Sequence, residues 1–564
     1  MPTSTITGNL VDIPARRIFP AEVVVEQGRI VSIREVTDPV NGFLLPGFVD
    51  AHVHVESSLL VPSEFARLAV THGTVATVSD PHEIANVLGV PGVEFMIANG
   101  AQVPFHFFFG APSCVPATAF ETAGATIDAA ATGRLLEHPA IGYLAEVMDF
   151  PGVLAGAPEV MAKIAHAHRL GKPVDGHAPG LRGEAARRYI EAGLPAGQVG
   201  LPAGQVGLPA GQVGIATDHE CFTREEALDK LACGMKILIR EGSAAKNFDA
   251  LIGLLHDHVE NLMFCSDDKH PDSLVLGHID RLCARAVALG HDVFNVLRVA
   301  CLNPVEHYRM PVGTLRVGDP ADLIMVEDLT GFKVLRTWIG GRLVAEHGRS
   351  LIGSVRAERP NRFHCSPKQE EDFRVPAAPG DLLVIAAHDG QLITTKQWMP
   401  PTVTDGHCVA DPAKDLLKIA VVNRYRDAPP AVGWITHMGL KRGAIAGSVA
   451  HDSHNIVAVG TNDADLCAAV NAVIAHQGGL SLAHGAHQRV LPLPVAGIMT
   501  DADAYTVADA YAQMDREAKE LGSTLAAPYM TLSFMALLVI PHLKMSDLGL
   551  FDGDAFRLVQ GRPG

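Results

Sequence analysis

Residues 47–58 read GFVDAHVHVESS, and this stretch decides how the fold is interpreted. An apolar run leads into His52 and His54, which are separated by one residue. Side chains at positions i and i+2 of a β-strand point to the same face, so both imidazoles could be directed at one divalent metal. A motif this short is also compatible with an ordinary polar strand end, and the rest of the chain has to decide between the two.

The region that follows alternates apolar strands with helical stretches, which is typical of βα units. Eight strand candidates end near His52, Ser79, Gly110, Glu146, Gly176, Thr217, Arg240 and Ser266. Eight such units over roughly 260 residues predict an α/β protein with a TIM-type (β/α)8 barrel. In that fold the active site lies at the C-terminal ends of the strands.

Three regions are predicted in addition to a barrel at residues 46–310. Short strand patterns at residues 1–45 and 311–358 predict one small β-sandwich domain built from both flanks of the barrel. After a polar stretch near residues 355–380, residues 359–564 are predicted to form an additional C-terminal α+β domain.

A tandem repeat interrupts the barrel region, because the unit Gly-Leu-Pro-Ala-Gly-Gln-Val occurs three times across residues 193–213. One proline and two glycines in each unit exclude a stable helix. The repeat falls between a predicted helix and the next strand, on the side of a barrel opposite the active site. We therefore expect a flexible loop without a catalytic role.

Composition excludes several classes of protein. The 564 residues carry a formal net charge of −17, which argues against a nucleic-acid partner. The nine cysteines form no C-x-x-C motif and are expected to be free thiols in a reducing compartment, so we expect a cytoplasmic location. The N-terminus lacks a signal-peptide pattern, and no run of about 18 apolar residues predicts a membrane span.

Side chains that commonly bind metals recur at five of the predicted strand ends. They are His52 and His54 on strand one, Glu146 on strand four, His177 on strand five, His219 on strand six and Asp267 on strand eight. Each residue alone would more often be structural, but chance does not readily place ligands on five strand ends of one barrel. Together they predict metal-assisted hydrolysis.

These segments resemble the amidohydrolase superfamily and, within it, the adenine deaminase family, over essentially the whole chain. The most specific segments are residues 47–58, 80–87 (DPHEIANV), 217–221 (TDHEC), 265–271 (CSDDKHP) and 451–455 (HDSHN). The resemblance implies hydrolytic deamination of adenine to hypoxanthine and ammonia, in purine salvage, by a homo-oligomer such as a dimer. The tandem repeat departs from the family pattern.

The resemblance also implies a binuclear metal centre. One metal would bind His52, His54 and Asp267, the other would bind His177 and His219, and Glu146 would bridge them with a water. Many superfamily members use a carboxylated lysine on strand four, whereas the two oxygens of Glu146 can bridge without modification. Imidazole and carboxylate ligands suit Mn²⁺, Fe²⁺ or Zn²⁺, and the resemblance favours Mn²⁺ or Fe²⁺, with Mn²⁺ first.

The expected reaction gives a catalytic role to the ligand Asp267 and to two further side chains, those of Glu83 and His82. Two cations would convert the bridging water to hydroxide, which attacks the ring carbon that carries the amino group. Asp267 is the candidate for moving the proton of this water. Glu83, together with His82, is the candidate for protonating a ring nitrogen, although Glu83 could instead be a first-turn residue favoured by the helix dipole.

Five residues are candidates for substrate binding. Asp268 could accept a purine N–H or cap a turn, and Arg240 and Ser243 follow strand seven and could line the pocket. His451 and His454 could complete the purine pocket, stabilise a turn or bind a third metal.

Two other functions remain open from the residues alone. A cyclic-amide hydrolase resembling dihydroorotase or hydantoinase would share the fold, but those families usually carry the strand-four lysine that Glu146 replaces here. A catalytically inactive barrel that acts as a binding module would not need to keep the full set of ligands.

Overall fold

The structure is a computed structural model that describes residues 3–194 and 214–562. Residues 195–213, which hold almost all of the tandem repeat, lie outside the described residues. The expectation that the repeat forms a loop without a catalytic role therefore stays a prediction.

Eight parallel strands form the predicted barrel, and each pairs with its neighbour in sequence. In chain order they are Phe48–Val53, Thr74–Ser79, His106–Ala111, Ile141–Val147, Val174–Gly176, Thr217–Asp218, Lys236–Arg240 and Leu262–Cys265. A parallel bridge between Val53 and Asp267 joins the end of the last strand to the first. The (β/α)8 barrel is confirmed.

Helices follow the barrel strands and cover the outside of the barrel. The α-helices are Pro62–Ala69, His82–Leu88, Val90–Gly100, Ala129–Glu137, Phe150–Ala155, Pro158–Arg169, Gly183–Ile190, Arg224–Ala232, Phe248–Leu251, Pro271–Leu274, Ile279–Ala288, Val293–Leu297 and Asn303–Tyr308. Shorter 3₁₀ turns span Val55–Ser58, Val70–His72, Ile252–His256 and Val259–Asn261, and a π turn spans Arg298–Leu302. Side-chain caps fix several starts; Asp128, for example, accepts from the backbone N–H of Ala131.

Both flanks of the barrel contribute to one small β-domain, as predicted. Its strands are Ser4–Asp12, Arg17–Glu26, Arg29–Glu35, Phe43–Pro46, Leu323–Val326, Val334–Ile339, Arg342–Glu346 and Arg349–Ser350, hydrogen-bonded into one eight-stranded sheet. The strand Phe43–Pro46 lies at the junction, because it pairs with Ser4–Asp12 on one side and with Leu323–Val326 on the other. The first barrel strand begins two residues later, so this sheet anchors the start of the barrel.

The C-terminal region combines a mixed eight-stranded sheet with helices, in agreement with the predicted α+β class. Its strands are Val375–Pro376, Leu382–Ala386, Thr395–Met399, Thr402–Thr404, His407–Val409, Leu417–Val422, Ala431–Thr436, Ala444–Gly447, Ile456–Gly460, Gly479–His484, His487–Pro492, Leu543–Ser546, Gly549–Asp552 and Arg557–Leu558. Its helices are Glu370–Phe373, which is a 3₁₀ turn, Asp463–Ala475, Ala504–Glu520 and Pro528–Phe534. Within the described residues, no helix combines the length and hydropathy needed to cross a bilayer.

The C-terminal domain is joined to the barrel beside the first barrel strand. Thr500 accepts from the backbone N–H of Val61 at 3.1 Å and donates its own to the carbonyl of Leu59 at 2.8 Å. The buried carboxylate of Glu64 accepts from the backbone N–H of Ala504 at 3.0 Å. These bonds place the C-terminal domain over the strand ends that carry the predicted ligands.

The barrel is closed by a buried polar network around Asp50. Asp50 accepts from the backbone N–H of Ser266 at 2.9 Å and lies 2.7 Å from Nε2 of His278. Ser266 directly follows the eighth strand, whereas Asp50 lies on the first. The carboxylate therefore fixes the register between the two strands that bear His52 and Asp267.

Replacing Asp50 with alanine should lower the free energy of unfolding by about 3 kcal/mol, because buried donors lose their acceptor. Urea denaturation measures this change. Asp249 is the matched control: its side chain is 79% exposed in a pair with Arg285, and Asp249→Ala should cost less than about 0.5 kcal/mol. Equal losses in the two variants would contradict a closing role for Asp50.

Candidate metal centre

His52 and His54 direct their imidazoles at one point, as the strand periodicity predicts. Their Nε2 atoms lie 3.2 Å apart. Oδ1 of Asp267 lies 3.3 Å from Nε2 of His52 and 3.2 Å from Nε2 of His54. Three potential ligand atoms, from the first and eighth strands, therefore converge in the barrel mouth.

Glu146 lies between this group and a second pair of histidines. Its Oε1 is 3.3 Å from Nε2 of His54. Its Oε2 is 2.7 Å from Nδ1 of His177 and 3.3 Å from Nε2 of His219. Each carboxylate oxygen thus faces a different set of imidazoles, which is the arrangement that a bridging ligand needs.

The structure brings together all six predicted ligands, and their chemistry fits divalent cations. All six are buried, and the set consists of four imidazoles and two carboxylates. Burial and the neighbouring His219 lower the pKa of His52, whereas the carboxylates near His54, His177 and His219 outweigh burial and raise the pKa of these three imidazoles. Nε2 of His177 is buried without a hydrogen-bond partner among the described residues, so it is free to bind a ligand.

Arg240 lies behind the ligands and does not line the pocket, which corrects its predicted position. Its guanidinium is fully buried, and Nη1 donates to Oδ2 of Asp267 at 2.7 Å and to Oε1 of Glu220. The second oxygen of Asp267 therefore remains directed at His52 and His54. Glu220 lies 3.3 Å from Nε2 of His219 as well, so one arginine supports ligands on two strands.

A small cavity lies directly beside the ligand cluster. Its walls come from both the barrel and the C-terminal domain: His54, His82, Glu83, Glu146, Met148, His177, His219, Glu220, Asp267, Asp268, Leu392, His451, Asp452 and Leu537. Eleven of these fourteen wall residues carry ionisable side chains, and Met148, Leu392 and Leu537 add apolar surface.

Glu83 is held in this cavity by the C-terminal domain. One carboxylate oxygen contacts Nδ1 of His451, and the other contacts Nε2 of His454. Burial alone would raise the pKa of Glu83, but the two imidazoles outweigh it and hold that pKa well below its usual range. His82 lies beside the same carboxylate, with Nε2 at 3.4 Å from Oε1.

Asp268 and Ser243 differ in their position relative to the cavity. Asp268 lines it, and Oδ1 accepts a hydrogen bond from the hydroxyl of Ser57. Ser243 is absent from the described wall, contrary to its predicted position, because its hydroxyl lies 2.7 Å from Oγ of Ser273 and accepts from the N–H of His270. Ser243 instead supports the loop that carries Asp268, and its own N–H donates to the Asp268 carbonyl at 2.8 Å.

Sequence reasoning assigned no role to five residues of the cavity wall. Glu220 and Asp452 lie inside the segments 217–221 and 451–455. Their place directly after His219 and His451 in the sequence is the signal that could have identified them. Met148, Leu392 and Leu537 are ordinary apolar residues, and only the packing of the C-terminal domain on the barrel brings them together.

Comparisons with known proteins agree with this architecture. Residues 43–344 match the amidohydrolase family, and residues 391–557 match the adenine deaminase C-terminal domain. The adenine deaminase of Sulfurovum sp. (strain NBC37-1) is 55% identical and is aligned over 98% of each chain. Those of Salinibacter ruber and Methanosarcina barkeri are 55% and 47% identical, over 99% of each chain. Membership of the amidohydrolase family, together with the buried cluster, implies that the chain binds divalent metal.

Glu146→Ala should reduce the divalent metal bound per chain by at least one ion, because both groups of imidazoles lose a shared carboxylate. Elemental analysis of the purified, folded variant measures this. Glu226→Ala is the control, because Glu226 is also buried in the barrel but is bonded to Lys230 at 2.8 Å and does not belong to the described cavity wall. Unchanged metal content in Glu146→Ala would rule out a bridging role.

Proposed function

The chain belongs to the amidohydrolase family and, within it, to the adenine deaminases, and we propose that it hydrolyses adenine to hypoxanthine and ammonia in the cavity between its barrel and C-terminal domain. One observation carries this proposal. Five of the six potential metal ligands line a small cavity that the adenine-deaminase C-terminal domain closes, and the sixth, His52, lies beside them.

We infer a binuclear centre with Mn²⁺ as the preferred ion and Fe²⁺ or Zn²⁺ as alternatives. One ion would be held by His52, His54 and Asp267 and the other by His177 and His219, with one oxygen of Glu146 for each. When bound, the ions lower the pKa of a shared water and so supply hydroxide near neutral pH.

Asp267 moves the proton of the nucleophile in this proposal. Arg240 holds Oδ2, so Oδ1 remains oriented towards the centre beside His52 and His54. As the oxygen adds to the amino-bearing ring carbon, Asp267 accepts its proton and passes it to the departing amine. The carbon–nitrogen bond then breaks, and the nitrogen leaves as neutral ammonia.

Glu83 serves the ring-nitrogen side of the substrate. Addition of the nucleophile would leave negative charge on the purine ring. A proton must therefore reach a ring nitrogen as the bond to carbon forms. Glu83 lines the cavity and is oriented by hydrogen bonds with His451 and His454, while His82 lies beside it. Because Glu83 is ionised, it would first take up the proton released when the shared water forms hydroxide and then pass that proton to the ring nitrogen. His451 and His454 keep its carboxylate in position.

The cavity walls offer contacts to both the faces and the polar edge of a flat purine ring. Met148, Leu392 and Leu537 provide the apolar surfaces, and Asp268 provides an acceptor for a purine N–H.

We also propose that the protein assembles as a homodimer in the cytoplasm, without nucleic-acid or membrane partners.

The two alternative functions are less well supported. Full-length relatives with 45–55% identity are adenine deaminases, and a C-terminal domain of that type contributes to the cavity. Glu146 occupies the position at which the cyclic-amide hydrolases usually carry a lysine, and its two oxygens face opposite groups of imidazoles.

Protein loaded with Mn²⁺ should convert adenine to hypoxanthine with release of one ammonia per turnover. Loss of absorbance of adenine, with ammonia measured in parallel, follows the reaction. Removal of the metal by a chelator should abolish turnover, and added Mn²⁺ should restore it. Hydrolysis of a cyclic amide without turnover of adenine would overturn the proposal.

Glu83→Gln should lower kcat by about 10²- to 10⁴-fold, because a positioned proton-transfer group is lost while the metal ligands remain. Steady-state kinetics and metal analysis measure the two quantities. Glu64→Gln is the matched control, since Glu64 is also buried and also contacts the C-terminal domain, through Ala504, but lies outside the described cavity wall. A kcat of Glu83→Gln equal to that of the control would exclude a catalytic role.

A further inference from the structure

Lys544 is a fully buried lysine for which the reaction gives no explanation. It lies on the strand Leu543–Ser546, with no accessible surface. Its Nζ donates to the carbonyl of Leu392 at 2.6 Å and to the carbonyl of Phe534 at 2.9 Å. Within the described part of the chain, no carboxylate forms an ion pair with it, and burial lowers the pKa of Lys544 to about 7.

A buried amine without a counter-ion is costly, and an apolar side chain of similar length would fill the same space without desolvation. The desolvation cost of Lys544 therefore indicates that its two hydrogen bonds have a role of their own. Its two hydrogen bonds connect the loop after the strand Leu382–Ala386 with the end of the helix Pro528–Phe534.

Both acceptor carbonyls belong to segments that build the cavity. Leu392 is itself a wall residue. The ring of Phe534 stacks on the imidazole of His451 with 4.9 Å between centroids, and His451 also lines the cavity and contacts Glu83. Lys544 does not line the described cavity itself. It connects Leu392, an apolar wall residue, with Phe534, which packs against the polar wall residue His451.

The backbone of the strand Leu543–Ser546 also forms hydrogen bonds with residues next to Leu392 and Phe534 in the chain. The hydroxyl of Thr394 donates to the carbonyl of Leu543 at 2.7 Å, and the N–H of Met545 donates to the carbonyl of Met535 at 2.9 Å. These bonds hold residues that follow Leu392 and Phe534. The Lys544 side chain bonds to the carbonyls of Leu392 and Phe534 themselves.

We propose that Lys544 is a positioning residue that sets the separation between the Leu392 wall and the Phe534–His451 wall, and thereby the affinity for adenine. This inference rests on the proposed function of the cavity. The proposed metal ligands, Asp267 among them, all lie on the barrel, so displacement of the C-terminal walls should weaken purine binding and leave metal binding unchanged.

Lys544→Met keeps the length of the side chain and removes its donors. We expect KM for adenine to rise about tenfold, with metal content unchanged. Lys418→Met is the matched control: Lys418 is also buried in the C-terminal sheet and donates to the Phe373 carbonyl at 3.0 Å and to Asp463 at 2.6 Å. None of these control residues belongs to the described wall, so Lys418→Met should lower thermal stability without changing KM.

A folded Lys544→Met protein with the KM of wild type would overturn the inference, as would an equal rise of KM in Lys418→Met. If Lys544→Met does not fold, Lys544→Gln, which keeps a shorter donor, decides the matter: a raised KM supports the positioning role, and a wild-type KM overturns it. Failure of the wild-type protein to deaminate adenine would instead overturn the proposed function, so the two failures are distinguishable.

Discussion

The carboxylate of Glu146 is the group on which the arrangement of the site depends. One oxygen faces His54 on the first-strand side, and the other faces His177 and His219. A buried carboxylate can occupy this position only when opposite charge or hydrogen-bond donors surround it, and these three imidazoles provide donors. The closed barrel supplies this geometry because neighbouring parallel strands end at the same edge.

The C-terminal domain completes a site that the barrel only begins. The barrel contributes all six proposed metal ligands, whereas His451 and His454 contact the Glu83 carboxylate, and Leu392 and Leu537 line the cavity. Chemistry and substrate enclosure are thus divided between two domains that contact each other at the carboxylate of Glu83. Arg240 has a comparable supporting function inside the barrel, where it holds Asp267 and Glu220.

The sequence predicts those features that depend on local periodicity. The strand ends could be located because each apolar run stops at a polar residue, and the six ligands followed from those ends. Arg240 and Ser243 also stand after a strand, but their side chains turn to Asp267 and Ser273, and residue type alone does not reveal that direction. Leu392, Leu537 and Lys544 could not be predicted, because their positions depend on contacts between residues far apart in the chain.

A crystal structure of the Mn²⁺-loaded protein with a bound purine, with anomalous scattering recorded for manganese, tests the central claim most directly. The account predicts two anomalous peaks on opposite sides of the Glu146 carboxylate. It also predicts a purine between these peaks and the wall formed by Glu83 and Leu392. A single peak that Glu146 does not contact, or a purine bound away from Glu83, would contradict the account.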